Sequence, residues 1–448
     1  MRIIYHAKIR KIIEKQKFLE DNRGWGVRES KEYKEFKEVL FSLKLPIFIK
    51  LLIFTIDYSR IKSFPFSVFR FQFSVFFIIF VVQFRTTSFM NNKKPLYCVI
   101  MAGGVGTRFW PESRQSKPKQ FLDICDTGKS FLRMTYERFA HLVPAENFLV
   151  VTNARYKDLV LEHIPEISDK QVLCEPIGRN TAPCICYAAY HLRKIAPEAI
   201  MIATPADHLI LNEAEFHSIV EDTIDFASEK NALMTIGITP SRPETGYGYI
   251  QKSDNATISR VKCFTEKPNL ELAQVFVQSG EFFWNSGIFV WKVEDIISAV
   301  AEHLPEHYAL FEGIADKLGT DEEEKAIEMV FSECRAISID YGVMEKASNV
   351  FVRCGDFGWS DVGTWGSLYQ LSRKDKYANV RPQEGCYTYN TRSSIVSLPK
   401  GKVAVINGLR DFIVVDTEDV LLICPRSEEQ NIKKYIDEVK YNTGDKHI

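Results

Sequence analysis

The stretch Tyr-Cys-Val-Ile-Met-Ala-Gly-Gly-Val-Gly-Thr-Arg-Phe-Trp-Pro-Glu-Ser-Arg-Gln-Ser-Lys-Pro-Lys-Gln-Phe-Leu, residues 97–122, carries more information than any other in the chain. An apolar run leads straight into Gly103, Gly104 and Gly106, and basic side chains follow at Arg108, Arg114, Lys117 and Lys119. A strand that ends in a glycine turn can press bare backbone N–H groups against phosphate oxygens. Cations just beyond it can neutralise charge that grows during phosphoryl transfer. The segment therefore reads as a nucleoside-triphosphate loop. Two familiar phosphate motifs are excluded. Phe109 stands where the dinucleotide fingerprint needs its third glycine, and Asp123 stands where a P-loop ending in Gly128-Lys129-Ser130 needs its first.

Outward from this loop, short apolar runs alternate with amphipathic stretches. Tyr97–Met101, Phe148–Thr152, Ala199–Thr204 and Ala232–Ile238 read as strands. Ser130–Leu142, Thr181–Lys194 and Glu213–Glu229 have helical spacing. Such alternation predicts an α/β fold, a Rossmann-like and mostly parallel sheet with helices on both faces and ligands at the C-terminal strand ends. After about Asp375 the helices thin out. Ser394–Ser397, Val403–Asn407, Phe412–Asp416 and Val420–Cys424 read as short strands, followed by a helix over Ser427–Val439. This tail reads as a small β-rich, β-helix-like domain.

The chain has 448 residues and a formal net charge of -1, which gives no electrostatic reason to expect nucleic acid as a partner. Ten cysteines are scattered without a Cys-x-x-Cys pair, and Cys184 and Cys186 are too close for a usual zinc clip. They read as reduced thiols of a cytoplasmic protein. Residues 1–37 are rich in Lys, Arg and Glu, and residues 39–89 are crowded with Phe and Ile. The run Val75–Val82 is short of the ~20 residues a membrane span needs. Residues 1–89 read either as a membrane-surface segment or as an extension outside the working protein. The composition change beside Met90 favours the second. The expected organisation is an atypical extension over 1–89, a catalytic domain over 90–374 and a β-rich domain over 375–448.

Several further motifs carry chemistry. Pro118 and Gln120-Phe121-Leu122 flank Lys119 and pull it inward, which suits an anion ligand better than a solvated charge. Glu175-Pro-Ile-Gly-Arg-Asn-Thr-Ala-Pro opens a helix for which Asn180 and Thr181 are good caps. A carboxylate at Glu175 would accept both donors of guanine's Watson–Crick edge, a pair adenine does not offer. Pro205-Ala206-Asp207-His208 ends a strand with an acid that suits magnesium, and His208 reads as structural. A second acid, Asp361, stands in Phe357-Gly-Trp-Ser-Asp-Val-Gly-Thr-Trp. Pro243-Glu-Thr-Gly-Tyr-Gly-Tyr-Ile, Glu266-Lys267-Pro268 and Trp284-Asn285-Ser286-Gly287 together supply a carboxylate, an amide, a lysine and aromatic faces suited to a sugar phosphate.

These motifs, with Ser-Ile-Asp-Tyr-Gly-Val-Met-Glu-Lys at 338–346, run in order from about 96 to 370 and resemble the sugar-1-phosphate nucleotidyltransferases. The resemblance is greatest to their bacterial mannose-1-phosphate guanylyltransferase branch. It implies that GTP and mannose 1-phosphate give GDP-mannose and pyrophosphate by in-line attack on the α-phosphorus, with Mg2+ as cofactor and no covalent intermediate. By the resemblance, Gly103, Gly104, Gly106, Thr107, Arg108 and Lys119 hold the triphosphate. Glu175, Asn180 and Thr181 read guanine, and Asp207 and Asp361 bind the metal. Gly246, Glu266, Lys267 and Asn285 hold the sugar phosphate, and Arg108, Lys119 and Asp207 form the catalytic set. The resemblance leaves room for a homodimer. Residues 1–89 have no counterpart in it. Two rival readings stand beside this one: another sugar 1-phosphate as substrate, and a non-catalytic nucleotide-sugar sensor of the same fold. The sensor would be marked by lost carboxylates or cations, and both are present here.

Overall fold

The computed structural model describes residues 94–125 and 127–448; the stretch read above as an extension, 1–89, lies outside them. A nine-stranded sheet organises the fold. Its strands are β1 (Leu96–Met101), β2 (Phe148–Asn153), β3 (Val172–Glu175), β4 (Ile200–Pro205), β6 (Leu233–Ile238), β7 (Gly248–Lys252), β8 (Ile258–Glu266), β9 (Phe282–Lys292) and β10 (Val350–Gly355). The spatial order is β3-β2-β1-β4-β9-β6-β10-β8-β7. A short β5 (Leu209–Ile210) pairs antiparallel with β11 (Trp359–Ser360) outside this sheet.

All strands of the sheet but β8 and β9 run the same way. The sequence predicted the parallel half, where each strand is a continuous apolar run between helices. It did not show that β9 enters the middle antiparallel, between β4 and β6. Trp284-Asn285-Ser286-Gly287 therefore lies inside a strand, with an irregular register opposite Thr235 and Gly237.

Helices cover both faces. On one, Thr181–Ile195 and Val293–His303 pack over Val99, Met201, Phe289 and Trp291. On the other, Phe131–Phe139 and Glu213–Glu229 pack over Ile100, Val150, Ile202 and Met234. Strands buried on both faces read as unbroken apolar runs, which is why β1, β2, β4 and β6 were legible.

The C-terminal part contains β12 (Cys386–Tyr389), β13 (Ile395–Ser397), β14 (Ala404–Asn407), β15 (Phe412–Asp416) and β16 (Leu421–Pro425). β12 pairs parallel with β14 and β13 parallel with β15. These stacked parallel rungs are those of a β-helix-like coil. The closing α-helix is Ile432–Thr443, preceded by a 3-10 turn over Arg426–Asn431, so it begins later than the predicted Ser427. A third apolar cluster joins this part to the larger one through Phe109, Trp110, Phe131, Trp365, Ile413, Val415 and Ile432. Among the described residues no helix is long and apolar enough to cross a membrane. No disulfide forms among them either.

Candidate active site

The ends of β1, β3 and β4 bring the glycine loop, Glu175 and Asp207 to one edge of the sheet. The loop is held from behind. Gln120 Nε2 and Thr152 Oγ1 each donate to the Ala102 carbonyl at 2.8 Å. The Lys119 N–H and the Ser113 hydroxyl both donate to the Val105 carbonyl. Meanwhile the N–H groups of Gly103, Gly104, Val105 and Gly106 donate to nothing among the described residues. Consecutive free N–H groups on a fixed turn form an anion cradle. Gly106 has φ 73, and a Cβ there would collide with Lys119 Cβ, so only glycine lets the loop lie against that lysine. Thr107 begins a 3-10 turn over Thr107–Phe109. Arg108, on the same turn, is exposed and forms no hydrogen bond or ion pair among the described residues.

Lys119 is 3% exposed, whereas the side chain of its partner Asp207 keeps 35% of its surface. The ammonium donates to Asp207 Oδ2 at 2.8 Å, to the Asp207 carbonyl at 3.1 Å and to the Asp361 carbonyl at 2.5 Å. It also lies 5.1 Å from the centre of the Phe131 ring. Burial by itself would raise the Asp207 carboxyl, but the charge and hydrogen bond of Lys119, together with His208 and a backbone hydrogen bond, hold the group below the usual range. His208 is pushed down to about 4 by burial, so it is neutral at pH 7. Its Nδ1 accepts from Trp359 Nε1 at 3.2 Å, which makes it a structural pillar between β5 and β11.

One lysine thus gathers Asp207 and Asp361. Among the described residues Asp361 uses only one carboxylate oxygen: Oδ1 accepts from the Tyr247 hydroxyl at 2.5 Å and from the Gly363 N–H at 3.1 Å. Its Oδ2 has no hydrogen bond among the described residues, and neither does Asp207 Oδ1. Among the described residues no group of three or more His, Cys, Asp or Glu could hold a metal. A closed structural site is therefore not built here. Two open carboxylates beside a phosphate cradle do fit magnesium, which takes few protein ligands and completes its shell with phosphate and water.

Glu175 ends β3 with its carboxylate buried, and its Oε1 has no hydrogen-bond partner among the described residues. Burial pushes its carboxyl up to about 7, with the Cys184 thiol pulling the other way. A Cβ on Gly103 would lie 3.2 Å from Glu175 Oε2, so the acid abuts the glycine loop. An orphaned buried acceptor at that place is built for a donor the protein does not supply. Asn180 and Thr181 are committed elsewhere. Asn180 Oδ1 caps the helix by accepting the Thr181 N–H at 2.9 Å. Thr181 Oγ1 accepts from the Ile339 N–H, tying this helix to the segment that carries Asp340.

A second cluster stands on β7, β8 and β9. Gly246 is exposed in the turn before β7, where its N–H donates to Glu244 Oε1 at 3.2 Å. Glu266 and Lys267 pair at 2.7 Å. Asn285 Oδ1 accepts from the Thr235 hydroxyl, and its Nδ2 donates to Asp340 Oδ1, both at 2.9 Å. Burial, and then the neighbouring Glu266, push the Asp340 carboxyl up to about 7. The Tyr247 ring packs edge to face on both Trp284 and Trp359, with ring centres 5.2 Å apart in each pair. Among residues 94–374 the non-glycine residues with positive φ are Asn180 (72°), Lys267 (48°) and Val362 (43°), each within or beside a candidate ligand. Strain of this kind persists only where the surroundings over-determine it, and it gathers at functional sites.

Lys119, Asp207 and Asp361 are thus brought together, as are Gly103 with Glu175 and Glu266 with Lys267, Asn285 and Asp340. Among the described residues Arg108 and Gly246 form no hydrogen bond or ion pair with any of these. The sequence offered the aromatics of the 243–250 motif only as faces for a sugar, and gave no role to the Tyr247 hydroxyl or to Asp340. Both stand in motifs quoted above, but nothing local marks a tyrosine or an aspartate whose partner lies on another element. Arg114, one of the basic side chains after the glycine turn, forks onto Asp419 in the C-terminal part, Nη1 reaching Oδ2 at 2.8 Å.

The fold and this edge define a nucleotide-binding α/β protein with a phosphate cradle, a buried lysine and paired carboxylates. A family model described as nucleotidyl transferase matches residues 97–377, and one described as the MannoseP isomerase/GMP-like beta-helix domain matches residues 388–439. The chain belongs to the nucleotidyl transferase family. It is 36% identical over 366 residues to a mannose-1-phosphate guanylyltransferase of Escherichia coli, covering 79% of this chain and 78% of the relative. A protein of the same description from Salmonella montevideo is 36% identical over 361 residues, covering 78% and 75%. A crystal structure from Thermus thermophilus, described as a mannose-1-phosphate geranyltransferase, superposes with a TM-score of 0.69 at 31% identity. It covers 77% of this chain and 99% of that one.

Proposed function

We propose that the protein transfers GMP from GTP to mannose 1-phosphate, giving GDP-mannose and pyrophosphate. The observation that carries this reading is the row of free N–H groups at Gly103–Gly106, set beside Lys119 and the Asp207 and Asp361 carboxylates. The relatives at about 36% identity supply the reaction class and the sugar. In this reading the sugar phosphate oxygen attacks the α-phosphorus in line and expels pyrophosphate, and catalysis is positioning plus charge neutralisation. The N–H cradle, Thr107 and the free Arg108 hold the triphosphate, while Lys119 offsets charge at the reacting phosphate. Glu175, ionised on binding, accepts the two donors of guanine, with Asn180 and Thr181 fixing the helix that frames the base. Gly246, Glu266, Lys267 and Asn285 orient the sugar phosphate. Asp207 and Asp361 would hold Mg2+, whose chemistry is to bind phosphate oxygens and offset their charge.

The working protein is read as a cytoplasmic enzyme with a catalytic domain over 90–374 and a β-rich domain over 375–448, with a homodimer as the assembly to test by sedimentation. Residues 1–89 are read as dispensable, so protein begun at Met90 should be soluble and active. Pyrophosphate release with magnesium and mannose 1-phosphate, compared across GTP, ATP, dTTP and UTP, tests the reaction. Release with GTP is expected. Release with none of them would overturn the reading in favour of a sensor or a different sugar phosphate.

A further inference from the structure

We propose that Tyr247 is a positioning residue: its hydroxyl fixes one oxygen of Asp361, so that the other is presented to the metal ion. The proposal rests on the reading that Asp361 is a metal ligand. The Tyr247 hydroxyl donates to Asp361 Oδ1 at 2.5 Å, and the Gly363 N–H donates to the same oxygen at 3.1 Å. Two donors on one oxygen leave the carboxylate a single face to offer. Oδ2 has no hydrogen bond among the described residues, and Gly363 leaves room beside it, since a Cβ there would come within 2.6 Å.

The tyrosine is itself held from several sides. Its ring packs edge to face on Trp284 and Trp359, and 9% of it is exposed. Its carbonyl accepts from the Lys267 N–H at 3.2 Å, and it follows Gly246 directly. The hydroxyl that orients Asp361 is therefore anchored to the cluster read as the sugar-phosphate side. Asp361 needs such a support because Val362, next to it, has φ 43, a conformation unfavourable for a β-branched residue. Partners that orient a metal ligand commonly govern affinity by 10- to 100-fold.

The test uses the full chain and Mn2+ as probe, with bound metal read from the loss of the free Mn2+ signal in electron paramagnetic resonance. Tyr247→Phe keeps the ring and removes only the hydroxyl. It should raise the Mn2+ dissociation constant about tenfold, with an unchanged melting midpoint. In turnover it should raise the Mg2+ concentration for half-maximal rate while leaving the KM for GTP unchanged, and excess Mg2+ should restore part of the rate. Tyr249→Phe, which removes a neighbouring buried hydroxyl that accepts from the Glu244 N–H and has no other hydrogen bond among the described residues, should leave Mn2+ binding unaltered. Asp361→Asn separates the two ideas. Wild-type affinity in Tyr247→Phe, with weakened binding in Asp361→Asn, would overturn the positioning role and spare the metal reading. Unchanged binding in Asp361→Asn would overturn both.

Discussion

Lys119 and Glu175 show how burial gives ordinary side chains particular work. The lysine is sealed while its carboxylate partner opens outward, so a phosphate arriving at the edge meets a cation that water screens little. Lys119→Met keeps the apolar stem and removes the charge; kcat should fall about 100-fold or more, measured as pyrophosphate release. Glu175 offers a pH test. Folding raises its carboxyl from 4.5 to about 7, so the fold favours the neutral form. Because burial penalises the anion, this cost is absent below about pH 4.5 and stability falls as pH rises to and through about 7, by about 3 kcal/mol in all. Urea denaturation of the ligand-free protein across this window should show the decline, and Glu175→Gln should flatten it. If guanine binds the ionised acid, GTP binding near pH 6 also releases a proton. Calorimetry in two buffers of different ionisation enthalpy reads that release directly.

At the level of elements, the turns after β1 and β11 carry the site. The first presents its N–H groups outward because its carbonyls are bonded from behind. Gly106→Ala would put a methyl group against Lys119 in a conformation with φ 73. It should cost about 1–2 kcal/mol for the left-handed backbone, with a larger loss in turnover because loop and lysine must part. Parallel denaturation and activity measurements separate the two effects. The antiparallel β9 has a matching role. It carries Asn285 to the middle of the sheet, within reach of Asp340, which comes from a segment 55 residues later.

Across the whole molecule, the C-terminal coil supports the catalytic edge through a shared apolar cluster. Trp365, 2% exposed, packs on Phe109 with ring centres 5.0 Å apart, four residues after Asp361 and at the close of the glycine turn. Polar ties run alongside, from Trp110 Nε1 to the His447 carbonyl at 2.7 Å and from Ser397 Oγ to Glu112 Oε1 at 2.6 Å. Trp365→Ala should destabilise the protein by about 3–5 kcal/mol and lower activity as well, seen as a shifted denaturation midpoint and slower pyrophosphate release. An activity loss without a stability loss would place Trp365 in substrate contact instead.

Local sequence was enough wherever one segment satisfies its own pattern. The buried parallel strands show as apolar runs, the helices as spaced apolar faces, and the glycine loop as three glycines behind a strand. The C-terminal coil showed as short strands between turns, apart from β12 and the start of the last helix. Local sequence also put Lys119, Glu175, Asp207 and Asp361 forward, because each stands in a recognisable local motif: Lys119 between a proline and an apolar run, Glu175 and Asp207 where strands end, and Asp361 among glycines and tryptophans. Only the tertiary structure decided which of them meet. The antiparallel insertion of β9, the Tyr247 bond to Asp361 across 114 residues and the Asp340 contact with Asn285 depend on pairings between distant segments. A hydrogen bond between such segments leaves no periodicity in either one, so its partners become visible only once the sheet has placed them side by side.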